Sequence, residues 1–408
     1  MKTFHCTHCE SLVFFENVSC LNCGHALAFL PDKNLMAAVS EDRGGFWQVE
    51  GNSTGRRAYK PCANYAGQNV CNWAIPVEDP SSLCRSCRLT RVIPDLTPSG
   101  KEAWARLETA KRRLVQNLLT LQLPLAPKDD SHPDGVMFEF LKDSAGPDGD
   151  TQRVLTGHDN GVITLNIAEA DDVEREKQRQ RQHEPYRTVL GHFRHEIGHY
   201  YWDLLIRDSD RLQAFRDLFG DERADYGEAL KRHYQRGPPP NWADSYISSY
   251  ATSHPWEDWA ETWAHFLHMS DALETADETG LLLQPRRADE PALAALSRGA
   301  ATLKMGFGRM IERWLPLTYV MNNLSRGLGL SDSYPFVLTS PVIKKLRFVY
   351  DTVSAGALRR KAVRNSRVQR TLPTLSIAAL VAGAVWALVA LARRAEVRSI
   401  ERARGPGS

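Results

Sequence analysis

Cysteine is absent after Cys87: all eight lie between Cys6 and Cys87. A disulfide framework is therefore excluded for most of the chain, whose 408 residues suffice for two or three domains with cores of their own. An excess of charge of one sign is also missing. Lys and Arg number 51 against 49 Asp and Glu, so no global field argues for nucleic acid as the main partner. The N-terminus, MKTFHCTHCESLVFF, lacks an apolar h-region and a small-residue cleavage site. A secretory route is thus not expected, and the expected compartment is the cytosol. In a reducing setting, clustered cysteines argue for metal binding over disulfides.

What is there begins with those cysteines. Cys6, Cys9, Cys20 and Cys23 form C-x2-C-x10-C-x2-C around ESLVFFENVS, whose aromatic and β-branched content reads as a short strand. Two such knuckles deliver two sulfurs each to a tetrahedral zinc, a zinc-ribbon signal. Cys62, Cys71, Cys84 and Cys87 make a second quartet with one knuckle, CRSC, and two wider-spaced members, and are read as a second structural zinc. Metal binding would supply the folding energy that so small a module cannot draw from its core. Arg56, Arg57, Lys60, Arg85, Arg88 and Arg91, interleaved with Tyr59, Tyr65 and Trp73, read first as solvated surface and second as a basic-aromatic patch.

A boundary is expected near residue 95. Beyond it a helical stripe of Trp104, Leu107, Leu114, Leu118 and Leu121 follows Thr97 or Ser99 as cap. GVMFEFLKD and RVLTGHDNGVITLNIAEAD read as strands, the second running Val162 to Ile167 after a D-N-G turn. A charged run, read as a solvated helix face, leads to Pro185 as a first-turn residue of the next helix. LLLQPRRADEPALAAL reads as a linker into helices around Ile311 to Met321, and the domain is expected to end near Tyr350.

The helix after Pro185 carries GHFRHEIGHYYWD. His195 and His199 stand at i and i+4, so both rings can reach one ion from one helix face, with Glu196 beside that face to take a proton from water. A catalytic zinc needs a third protein ligand and an open position. Trp202 occupies the place where H-E-x-x-H-x-x-G-x-x-H needs its glycine, and no histidine completes the pattern, which excludes the metzincin arrangement. The third ligand is then expected from another helix, and HPWEDWAETWAHF offers Glu257 and Glu261 one turn apart. One would bind metal and the other orient a histidine ligand, with Asp203 as the matching supporting acid on the first helix.

H-E-x-x-H-x-x-x-D followed by E-x-x-x-E resembles the gluzincin pattern, which implies Glu257 as ligand and Glu261 as its supporting acid. SYATSHPWEDWAETWA resembles the catalytic domain of anthrax lethal factor, which implies an assisting tyrosine at Tyr250, with Tyr246 as fallback. The paired ribbon, LTGHDNGVITLNIAEAD, HEIGHYYWD and HPWEDWAETWAHFLHM together resemble a bacterial family of zinc-binding metallopeptidases over residues 1 to 350. His254, His265 and His268 are read as packing or surface residues.

The expectation is an α+β protein. A small β-rich double zinc-ribbon module, residues 1–95, precedes a zincin-like, mainly helical metallopeptidase domain, 96–350. One catalytic and two structural zinc ions, a peptide or protein substrate, and Glu196 as general base complete this reading. The strand Val162 to Ile167 is expected at the sheet edge beside the cleft, where an extended substrate could pair with it. The alternative is a regulatory protein whose ribbons dock a partner or nucleic acid and whose large domain binds peptides uncut. After a basic linker, 351–374, Leu375 to Ala392 is an uncharged run of eighteen residues, the lower limit for a bilayer-spanning or interfacial anchor.

Overall fold

The structure is a computed structural model that describes residues 2–51, 57–145, 151–181, 184, 186–284 and 302–371. The first cysteine quartet surrounds a two-stranded hairpin, β1 (Phe4–His5) and β2 (Leu12–Val13). The strand expected across ESLVFFENVS shrinks to two residues, because turns such as Glu10 N–H to the Cys6 carbonyl (2.8 Å) draw the knuckle together. Five antiparallel strands then pair in chain order: β3 (Ala26–Leu30), β4 (Leu35–Glu41), β5 (Trp47–Val49), β6 (Tyr59–Pro61) and β7 (Ala74–Pro76). A single-turn helix, α1 (Ala63–Ala66), follows Cys62.

The passage into the larger domain is not a clean break at residue 95. β8 (Thr90–Val92), directly after Cys87, pairs in parallel with β9 (Met137–Leu141) and so belongs to the second sheet. Its neighbour Leu89 is buried, and Thr90 Oγ1 donates to Glu108 at 2.8 Å on helix α2 (Pro98–Thr120). That helix starts where Thr97 Oγ1 accepts the Gly100 N–H, and buries Trp104, Leu107, Leu114 and Leu118.

After a small hairpin, β10 (Ser144–Ala145) with β11 (Thr151–Gln152), come β12 (Gly157–Asp159) and β13 (Val162–Asn166). The four-stranded sheet runs β12-β13-β9-β8, with β12 antiparallel to β13 and the other pairs parallel. The strand expected at the edge, β13, is therefore internal. Asn160 and Gly161 both take positive φ, 44° and 80°, the conformation of a two-residue hairpin turn, and fold β12 back as the edge. Phe138, Phe140, Ile163 and Leu165 point from the sheet into the core.

The charged run forms α3 (Asp172–Arg181), laced on its surface by Lys177–Glu174 and Arg179–Glu176 pairs. The motif helix α4 (Val189–Leu205) begins with Thr188 capping Gly191 N–H at 3.0 Å, later than a start at Pro185. α5 (Leu212–Phe219) and α6 (Tyr226–Arg236) lead to α7 (Pro255–Glu278), which lies against α4. Gly198 allows this contact: a Cβ there would stand 3.0 Å from Ala260 Cα and 3.2 Å from Trp263 Cβ. Trp259 Nε1 donates to the Gly198 carbonyl at 2.9 Å across the same seam.

α8 (Thr302–Met305), α9 (Phe307–Gly327) and α10 (Ser340–Thr371) close the described chain. α10 runs on as helix past the domain end expected near Tyr350 and through the described part of the linker expected after it, since SAGALRRKAVRNSRVQRT is rich in strong helix formers and holds one glycine. The described chain divides into two units after Ala357. Most of the expected linker LLLQPRRADEPALAAL, and the apolar run 375–392, lie outside the described residues. Among those described, no helix is long and apolar enough to cross a membrane.

Candidate metal centre

The two cysteine quartets assemble as their spacing implies. Sγ–Sγ separations are 3.7 Å for Cys6–Cys23, 3.6 Å for Cys9–Cys20 and 3.8 Å for Cys71–Cys84. Four thiolates about 2.3 Å from a tetrahedral zinc stand roughly 3.8 Å apart, so these groups fit the metal. They are far beyond disulfide length, and all eight thiols are free. Backbone N–H groups of Trp73, Cys84 and Cys87 point at the sulfurs of Cys71, Cys62 and Cys84, at 3.4, 3.3 and 3.4 Å, as buried thiolates require. Arg57, Arg88 and Arg91 pair with Asp32 (2.7 Å), Asp79 (2.8 Å) and Glu139, which neutralises much of the basic set around the second quartet.

The third cluster is built by α4 and α7. His195, His199 and Glu257 bring one ligand atom each within 4.8 Å of one another. The two Nε2 atoms are 3.2 Å apart, with Glu257 Oε2 2.9 Å from the first and Oε1 3.5 Å from the second. Ligands about 2.05 Å from a tetrahedral zinc would be roughly 3.3 Å apart. The donor chemistry agrees. His195 Nδ1 lies 2.7 Å from Glu261 Oε1 and must donate to it, so in the neutral ring Nε2 carries a lone pair. Lone pairs and a buried carboxylate thus converge on one point, and Glu257 Oε2 has no hydrogen-bond donor. Burial opposes charge on both partners, yet Glu257 and Glu261 hold His195 well above its ordinary pKa, and the two histidines hold Glu257 well below its own. The site calls for a cation.

Around it, Glu261 also accepts from Ser248 Oγ at 2.6 Å, which fixes the acid that fixes His195. Asp203 does not play the matching role for His199. It pairs with Arg207 at 3.0 Å and stands 4.0 Å from His158, whose ring stacks beside His199, with centroids 6.2 Å apart. Position i+4 on α4 aims this carboxylate past the ring toward β12. Glu196 and Tyr250 line a cleft of about 610 Å³ with His192, His195, Tyr234 and Glu261. The Tyr250 ring centroid is 5.9 Å from that of His195, and burial, with Glu257 nearby, pushes its hydroxyl well above the usual tyrosine range. It stays a proton donor.

The three histidines read as packing residues hold other groups. His254 caps α7, accepting Trp256 N–H at 3.1 Å and donating to the Ala224 carbonyl at 3.1 Å. His265 meets the Tyr334 hydroxyl at 2.8 Å, and His268 meets Arg194 at 2.6 Å. Three features had no signal in the sequence: Tyr226 and Tyr234 on α6, and a wall group in which Glu169 meets Arg187 at 2.8 Å and His192 at 3.2 Å. Burial would raise Glu169, but His192 and Arg187 bring its carboxyl down to about 2.

Two family models match the chain: a zinc-ribbon domain over residues 3–98 and the family described as "Putative zinc-binding metallo-peptidase" over residues 100–352. An uncharacterized protein of Mycobacterium bovis, and others from two strains of Mycobacterium tuberculosis, are each 43% identical over 360 residues, 88% of this chain and 96% of theirs. No solved structure matches. None of these comparisons shows the likeness to the lethal factor catalytic domain.

Proposed function

Because the chain belongs to this family of zinc-binding metallopeptidases, we propose that it hydrolyses peptide bonds at the cluster of His195, His199 and Glu257, with Glu196 as general base. The observation that carries the reading is the convergence of three acceptor groups on one point, with His195 among them lining the same cleft as Glu196 and Tyr250. When bound there, zinc supplies a Lewis acid for the scissile carbonyl and lowers the pKa of water toward neutrality.

The chain's own residues do the rest. Glu196 takes a proton from the attacking water as the C–O bond forms, then passes it to the amide nitrogen as the C–N bond breaks. Tyr250, kept protonated by burial, donates its hydroxyl hydrogen to the oxygen that gains charge, a contribution of about 3 kcal/mol in comparable sites. Glu261 holds the His195 tautomer through Nδ1. An extended substrate would lie along the edge offered by β12, since β13 is already paired on both sides.

The test is digestion of a mixed peptide library by the zinc-loaded chain beside its Glu196→Gln variant, with cut sites read by mass spectrometry and bound zinc counted. Cleavage by the parent alone, at equal zinc content, is expected. Equal cleavage by both would remove Glu196 from the mechanism.

A further inference from the structure

The ligand carboxylate of Glu257 is held from outside the two metal-binding helices. Glu257 is 1% exposed, and a carboxylate that serves as a metal ligand can only accept hydrogen bonds. Such a group is costly unless partnered. Oε2 faces His195 Nε2, at 2.9 Å, without a donor. Oε1 receives the Tyr226 hydroxyl at 2.7 Å. Among the described residues this hydrogen bond reaches the carboxylate from outside the two ligand helices.

Tyr226 is the first residue of α6, whose far end is tied by His233, 3.3 Å from Thr252 Oγ1 and with its ring centroid 5.9 Å from that of Tyr250. Ala229 is the one buried side chain of this helix, and glycines with φ of 104° and 72°, Gly220 and Gly237, bracket it. What places Tyr226 is α7 itself. His254, the α7 cap, accepts the Trp256 N–H through Nδ1, which leaves Nε2–H to donate to the Ala224 carbonyl two residues before Tyr226. The Tyr226 ring packs against those of His254 and Trp256, with centroids at 5.2 and 6.0 Å. The start of α7 therefore holds the segment whose tyrosine returns to Glu257, one turn further along α7. Sequence proximity plays no part, since 31 residues separate the two.

We propose that Tyr226 is a positioning residue for the metal centre: its hydroxyl ties down Glu257 Oε1 and so presents Oε2 to the ion. This rests on the metallopeptidase reading of the same site. Its consequence is a loss of metal affinity when the hydroxyl is removed and the ring kept, of the 10- to 100-fold size that outer-shell partners of metal ligands control. Tyr234, on the same helix but with no bond to Glu257, should have no such effect.

The experiment titrates zinc against a competing chelator with the full chain, its cysteine sites already loaded, for the parent, Tyr226→Phe and Tyr234→Phe. Cobalt absorption of the non-thiolate site is recorded in parallel. Expected is a 10- to 100-fold weaker third site and an altered cobalt spectrum in Tyr226→Phe alone, with both cysteine sites retained. Equal affinity and spectrum in Tyr226→Phe and parent would overturn the role of Tyr226 while leaving the metal centre standing. Equal weakening in both variants would also overturn it, by showing that any loosening of α6 suffices. A parent that binds no third zinc would overturn the proposal together with the reading on which it rests.

Discussion

Gly198 fills a variable position of H-E-x-x-H, yet the structure makes it the residue that sets the distance between the two ligand helices. A methyl group at Gly198 would stand 3.0 Å from Ala260 Cα and 3.2 Å from Trp263 Cβ. Ordinary carbon contacts lie at about 3.5–4.0 Å, so α4 and α7 must part by about 0.5 Å to admit it. Overpacking of this kind costs about 1–3 kcal/mol. Replacing glycine by alanine inside a helix gains about 1 kcal/mol. The net expectation for Gly198→Ala is a loss of about 1 kcal/mol, or about 2–4 °C in melting temperature for a domain of this size. The larger effect falls on the metal, because a displacement of about 0.5 Å is the tolerance of a built ligand set. Glu257 precedes Ala260 by three residues on α7, so it moves with the helix. Thermal melts and zinc-chelator titration of the full chain check both parts, with at least tenfold weaker binding at the third site expected. A variant that melts higher than the parent and binds the third zinc equally well would refute the argument, since helix propensity would then have acted without a packing penalty.

Two further predictions concern acids and pH. Glu257→Gln should abolish binding at the third site, while Glu261→Gln should weaken it by about 10- to 100-fold through loss of the His195 Nδ1 partner. Equilibrium dialysis distinguishes them, and loss of the ion in the Glu261 variant alone would reverse the assignment. His265 is buried, and burial lowers its pKa from 6.5 to about 4. The unfolded chain therefore binds more protons between those values, so the contribution of His265 is complete above pH 6.5 and is lost as pH falls toward 4. Its size is about 3 kcal/mol. Denaturant unfolding of the parent and His265→Gln should show the gap between them narrowing by that amount across this window. A gap that stays constant would contradict the neutral, buried state.

Much of the site was legible because its chemistry is encoded at short range. The i, i+4 spacing of His195 and His199 determines that both rings share a helix face, and the C-x2-C knuckles determine that sulfurs arrive in pairs. Thr97 marks its helix start through a bond three residues away. The spacing also left Glu257 and Glu261 as equals, each one turn from the other. Only the crossing of α7 over α4 at Gly198 separates them: it brings Glu257 Oε2 to 2.9 Å from the metal-facing Nε2 of His195 and Glu261 Oε1 to 2.7 Å from the opposite nitrogen.

The same division holds elsewhere in the chain. The D-N-G turn was visible in the sequence, but not that it folds β12 outside β13 and removes the expected edge. Asp203 had the right spacing and the wrong direction. Tyr226, β8 in the second sheet and the Glu169–His192 wall pair depend on contacts between segments far apart in the chain, which no local period records. Backbone geometry repeats over three to four residues, so the sequence by itself determined which side chains travel together on one element. Which elements meet, and which oxygen of which carboxylate faces the ion, was decided by how closely the helices could pack, and that is a property of the tertiary structure alone.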